Sequence, residues 1–287
     1  MDKNIRPYIA ELVGTFALVF VSAGAVCTAY LTASAPANGG HMQLTSTAII
    51  GVALAQGLVL VSALAATVPV SGGYLNPAIT LMLYVFKRFE LGKTLMLILV
   101  QFLGAVLAGG LLRVIFGGLR ENLIVEAQLG TPHVNLESFG VGGIGPRVLF
   151  SGLGVELVLT FILAAVIFAT YYDPRVPRLL GRLGAWLSPL WVGLINVALV
   201  LVGLSWTGAA LNPIRYFGTA IWEQTVPSLA DRGVFSDHMV YWIGPVLGAL
   251  LAGAAYIYLI LPEQEEPLAA PSITTSKRPT ASSLSRK

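Results

Sequence analysis

Asn76-Pro77, within SGGYLNPAIT at 71–80, and Asn212-Pro213, within TGAALNPIRY at 207–216, stand in the middle of long apolar stretches. Both residue types usually punctuate turns in water, so their position asks for a reason. Asparagine is a favoured helix N-cap. Proline is tolerated in the first helical turn, where its missing N–H would be unpaired anyway and its fixed φ suits the helix. Each pair therefore predicts a helix start, with Asn76 and Asn212 as caps, Pro77 and Pro213 as structural residues that preset the turn, and Ala78 and Ile214 next in line. A helix N-terminus carries roughly +0.5 elementary charge. Two such ends aimed at one point, with two amide donors, would orient a small polar molecule and oppose cations and proton transfer. The plainer reading is a purely structural cap.

Three charged residues stand out against the same background. Arg215 lies three residues past Asn212, on nearly the same helix face and about 4.5 Å further along the axis at ~1.5 Å per residue; its counterpart after Asn76 is Ile79. Glu11 and Glu156 each open a matching segment, ELVGTFALVF and ELVLTFILAA.

These residues sit on a chain with 56% hydrophobic and 11% charged residues and a mean hydropathy of +0.79. Such values lie outside the range of soluble domains and read as an integral membrane protein. About 20 apolar residues cross the hydrocarbon core, and six windows qualify, near 8–31, 46–67, 94–117, 147–171, 183–205 and 238–261. The first is too long for a signal-peptide core and no cleavage pattern follows it, so it is read as a retained span. Two apolar stretches near 76–86 and 212–222 are too short to cross, and each begins with Asn-Pro.

Three blocks recur in the same order. ELVGTFALVF at 11–20 matches ELVLTFILAA at 156–165, SGGYLNPAIT matches TGAALNPIRY, and FLGAVLAG at 102–109 matches VLGALLAG at 246–253, at offsets of 145, 136 and 144 residues. Each copy, about 8–117 and 147–261, holds three spans and one short segment. Three is odd, so the second copy enters the membrane from the opposite side and the repeat is inverted. Inverted repeats place a shared site near the bilayer midplane where broken helices meet, and non-helical backbone at that depth needs protein or water around it. Gly104, Ala108, Gly248 and Ala252 have small-xxx-small spacing, which predicts close helix crossings between the two halves.

At membrane depth an arginine is costly unless it faces water or a partner; for Arg215 the alternative is snorkelling to the interface. For Glu11 and Glu156 a proton relay is the sharper reading, and the preferred one is structural, with each accepting hydrogen bonds from the loop before an Asn-Pro pair. With both termini inside, twelve of the seventeen Lys and Arg fall in inside segments, leaving Arg113, Arg120, Arg147, Arg215 and Arg232. That bias places both termini in the cytoplasm, with the plasma (inner) membrane as the expected location. Cys27 is the single cysteine, so no intrachain disulfide or thiol metal site is expected, and no cofactor or nucleic-acid partner is called for. The spans hold no His or Asp cluster of the kind an intramembrane enzyme would need. His41, His133 and His238 read as isolated surface residues, and residues 262–287, rich in Pro, Ser and Thr, as a disordered cytoplasmic tail.

The paired Asn-Pro motifs, their inverted repeat, Glu11 and Glu156, Gln101 in the third span, Gly244-Pro245 in the sixth and Arg215 after the second motif together resemble the aquaporin and glycerol-channel family over about residues 8–261. The resemblance implies an all-α membrane protein: one channel domain over 1–261, six tilted transmembrane helices in a right-handed bundle, two re-entrant half-helices touching back to back, and a homotetramer with a pore in each subunit. It implies that Asn76 and Asn212 line the pore midplane and that Gln101, like the two glutamates, holds a loop. It also assigns an outer selectivity filter to Gln56, Val200, Ala209 and Arg215. Strict water channels of the family typically have Phe and His at the first two of these positions, and glycerol channels Trp and Gly with Phe at the third. Gln56, Val200 and Ala209 match neither set, and predict a constriction wider than a water-only filter and more polar than a glycerol filter. Ile214 departs from the usual alanine. Tyr216, where glycerol channels often have Asp, together with Ala220 and Tyr241-Trp242, is water-channel-like. The expected function is a passive channel for water and for small neutral solutes such as glycerol, urea or metalloid acids. The non-transport alternative is a junctional protein whose pore Tyr216 or Ile214 closes.

Overall fold

The computed structural model describes residues 5–33, 44–117, 125–230 and 233–261, all helix and connecting loop. His41 and the tail 262–287 lie outside the described residues. Eight helices organise them: α1 (Arg6–Thr32), α2 (Ser46–Thr67), α3 (Pro77–Val85), α4 (Leu91–Gly117), α5 (Pro146–Ile167, continued by a wide turn over Phe168–Tyr172), α6 (Arg175–Thr207), α7 (Pro213–Glu223) and α8 (His238–Ala255). Among the described residues six helices are long and apolar enough to cross a membrane, and they coincide with the six windows read from the sequence. The two others are the short helices α3 and α7, which begin at Pro77 and Pro213. This is an integral membrane protein.

The long helices bury small and polar side chains and expose large apolar ones. Leu95, Leu99, Leu103 and Leu107 form an i, i+4 stripe on the outside of α4, each about half exposed, while Glu11, Thr15, Gln101, Glu156 and Thr160 are fully buried. Lipid tails offer no hydrophobic drive between helices, so close packing and interior hydrogen bonds hold the bundle instead.

At two close backbone approaches the two halves repeat each other. A Cβ at Gly104 would collide with the Leu12 carbonyl, and one at Gly248 with the Leu157 carbonyl. The α1–α4 and α5–α8 crossings are thus copies of one joint. They lie within each half, whereas the glycine spacing predicted them between halves. The alanines one turn on do meet the other half: Ala108 packs against Ile214 of α7 and Ala252 against Ala78 and Ile79 of α3. The halves are also joined where α2 crosses α6, because Gly57 and Gly193 face each other's carbonyls with no room for a side chain.

Candidate functional site

The short helices meet through their caps. Asn76 and Asn212 have almost the same backbone, φ −152° and ψ 116° against φ −153° and ψ 117°, and each side-chain oxygen accepts the backbone N–H two residues on, from Ala78 at 2.9 Å and Ile214 at 3.2 Å. The isoleucine therefore leaves the cap geometry intact. Its side chain is fully buried with Val19, Ala105 and Ala108, away from the junction. Asn76 Nδ2 donates to the Leu211 carbonyl and Asn212 Nδ2 to the Leu75 carbonyl, both at 2.9 Å. Each cap is thus tied to the loop of the other half, and its second amide hydrogen remains for whatever occupies the junction.

Those loops run through the left-handed region at Gly72, Gly73 and Leu75 before α3, and at Gly208, Ala209 and Leu211 before α7. Such loops leave backbone N–H groups pointing into a medium with no water, and the two glutamates take them up. Glu11 Oε1 accepts from Ser71 Oγ (2.6 Å) and Tyr74 N (2.9 Å); Glu11 Oε2 accepts from Leu75 N (2.8 Å) and Gln101 Nε2 (2.9 Å). Glu156 Oε1 accepts from Thr207 Oγ (2.6 Å) and Ala210 N (3.0 Å); its Oε2 accepts from Leu211 N (2.8 Å). Gln101 Nε2 also reaches Thr80 Oγ at 3.0 Å.

A cavity of about 200 Å³ runs through the junction. Tyr74, Tyr171 and Tyr172, the caps Asn76 and Asn212, and Gln56 and Arg215 are among the residues that line it. Arg215 also borders a second space lined by Gly208, Pro132 and His133, so it stands between the two. It is buried, and among the described residues its Nε and Nη1 have no hydrogen-bond partner; the same holds for Gln56 Nε2. Donors buried in this way need an acceptor from the occupant of the cavity. Val200 and Ala209 are brought near but do not line that cavity: both are buried in the apolar cluster with Leu159, Leu163 and Leu199. The residues of α6 that do line it are Asn196, one turn earlier, and Val192, two turns earlier, and sequence counting passed over both. Tyr216 is turned away, stacked on Tyr241 at 4.5 Å with its hydroxyl donating to the Val234 carbonyl.

His133 is not the isolated surface residue its sequence suggested. Its Nε2 lies 2.9 Å from Glu223 Oε2 and its Nδ1 3.2 Å from both oxygens of Asp237, while Asp237 also accepts from Val134 N at 2.9 Å. With carboxylates at both ring nitrogens the imidazole must be doubly protonated. Burial by itself lowers its pKa, but the hydrogen bonds and charges of Asp237 and Glu223 prevail and raise it from 6.5 to about 10. The partners lie 104 and 90 residues away in the chain, so only folding reveals them. A folded pKa above the unfolded one means that the stabilisation is complete below pH 6.5 and is lost as pH rises through about 10. Changing His133 to Ala is expected to cost about 3–5 kcal/mol, the scale for stranding one side of a buried ion pair. Thermal unfolding in detergent should show this as a fall in Tm that narrows as pH is raised from 7 to 10; an equal Tm deficit at both pH values would remove the charged pairing.

The family model for the major intrinsic proteins matches residues 1–256. The chain belongs to the major intrinsic protein family. Among its relatives, Aquaporin TIP4-4 of Zea mays is 37% identical over 265 residues, covering 92% of this chain and 90% of its own. Aquaporin A of Dictyostelium discoideum is 32% identical over 259 residues, covering 90% and 79%. The X-ray structure of the aquaglyceroporin from Plasmodium falciparum superposes with a TM-score of 0.71 at 23% identity, covering 89% of this chain and 96% of that one. At that identity the likeness is one of fold, and the inverted bundle described above is the architecture this major intrinsic protein shares with it.

Proposed function

We propose that this major intrinsic protein is a passive transmembrane channel for water that also passes small neutral solutes. The observation that carries the reading is the cavity through the junction, with two helix N-termini in its wall and a buried arginine between it and the second space. In this reading Asn76 and Asn212 orient the central molecule, while Pro77 and Pro213 fix the helix starts and Ala78 and Ile214 back them. Glu11, Glu156 and Gln101 hold the loops, and the cationic waist rejects cations. Gln56, Val200, Ala209 and Arg215 form the outer filter, Val200 and Ala209 setting its width from behind the lining. Relatives that carry the name aquaporin support water as a cargo.

The second reading is a broad facilitator for glycerol, urea or metalloid acids, favoured by the lack of any aromatic ring at Gln56, Val200 and Ala209. A closed-pore junctional role draws no support from Ile214 or Tyr216, since both pack into apolar clusters away from the cavity. The family membership supports a homotetramer, which native mass spectrometry would count. Charge bias supports cytoplasmic termini; the plasma membrane as location belongs to the same proposal.

Stopped-flow light scattering on proteoliposomes tests the function. Shrinkage under an impermeant osmolyte should exceed that of empty liposomes many-fold, and re-swelling should follow under glycerol or urea gradients. Water flux equal to that of empty liposomes would overturn the proposal. Changing Gln56 to Phe is expected to lower urea and glycerol flux about tenfold while water flux falls far less, since a ring narrows the waist and removes a donor. Equal reductions would take Gln56 out of the filter.

A further inference from the structure

Asn196 is a polar residue of the cavity wall that the channel reading leaves without a task. Its neighbours on the same stripe of α6 are Val192, which also lines the cavity, and Val200, buried in apolar packing. The α2–α6 crossing at Gly57 and Gly193 has Val197 wedged against Gly57; Gln56, beside Gly57, and Asn196, beside Val197, thus flank this crossing, and both line the cavity. Both side chains are more than nine-tenths buried, at 4% and 7% exposure. Gln56 Nε2 has no partner, and Asn196 makes no side-chain hydrogen bond to the described residues. With no such bond, the Asn196 amide opens to the cavity, where its donor and acceptor are available to an occupant.

We propose that Asn196 and Gln56 together form a solute-binding station just inside the Arg215 waist, selective for planar amide solutes of the urea type over polyols. The proposal rests on the channel reading. A carboxamide presents a carbonyl acceptor and two N–H donors in one rigid plane, and urea presents the complementary set in one plane. Two wall amides pair with it without bending it. A polyol spreads its hydroxyls along a flexible chain whose C–H side needs an apolar wall, and on this face of α6 Asn196 takes that wall away. A site built to hydrogen-bond a polar group discriminates strongly against solutes that cannot return the bonds.

The test is permeability to urea, glycerol and water in proteoliposomes for the wild type, Asn196→Val, Asn196→Ala and Gln56→Leu. The wild type should pass urea faster than glycerol. Each variant should lose about fivefold to tenfold of the urea permeability, the scale of one hydrogen bond to the solute, and in the two Asn196 variants water should change by less than about twofold. Combining Asn196→Ala with Gln56→Leu should cost less urea flux than the product of the two single losses, because both amides hold one solute. Unchanged urea-to-glycerol ratios in folded variants overturn the station, as does a wild type that passes water but no urea. A wild type with no flux above empty liposomes overturns the channel reading itself. If Asn196→Val does not fold, the alanine variant and the wild-type ratio decide the question.

Discussion

Glu156→Ala is expected to yield little folded protein. The substitution strands Thr207 Oγ, Ala210 N and Leu211 N, each buried, and each lost acceptor costs about 1–3 kcal/mol. The sum rivals the total stability of an ordinary domain, about 5–15 kcal/mol. Glu156→Gln keeps the shape but turns one acceptor into a donor facing an N–H, so it should fold with a Tm several degrees lower and with reduced water flux. Size-exclusion profiles, thermal unfolding and flux measured on the same preparations separate the two roles weighed for this residue. A loop anchor predicts that stability and flux fall together. A proton relay predicts a glutamine variant of unchanged Tm with altered proton leak, and that result would sink the anchor.

Arg215→Val should do the opposite, preserving the fold while spoiling selectivity. Nε and Nη1 of Arg215 make no hydrogen bond to the described residues, and Glu156 keeps its three donors without it. Removing the guanidinium therefore strands no partner and relieves the cost of holding a cation at depth. Tm is expected to hold or rise. At the waist, the loss of charge and bulk should raise glycerol flux about tenfold and open a cation leak absent from the wild type, read with a potential-sensitive dye. An unchanged solute and cation profile in the folded variant would remove Arg215 from the filter.

The pair contrasts two kinds of buried charge. Glu156 accepts three protein donors from one loop; Arg215 has Nε and Nη1 without partners among the described residues, and in the proposed channel it acts on what passes. Their burial is nearly the same, 0% and 3% exposure, so burial alone does not separate the roles. The hydrogen-bond count does.

By itself the sequence determined the six spans, the two short helices and their starts at Pro77 and Pro213, the duplication and its inversion, and the family. Each of these rests on a local signal: a run of apolar residues, a cap followed by proline, or a block repeated at a near-constant offset. Tertiary structure decided how those parts face one another. Asn76 reaches Leu211 and Asn212 reaches Leu75 across 135 and 137 residues, and His133 finds its carboxylates across 90 and 104, separations at which no periodicity carries information. The same applies to orientation. Val200 and Asn196 lie one turn apart on α6, yet one is packed in an apolar cluster and the other lines the cavity. In a helix that is apolar almost all round, the hydrophobic pattern does not say which face turns inward. The glycines at 57 and 193 mark the face of α6 that meets α2, because there the two backbones touch, and that contact appears only once the helices are packed.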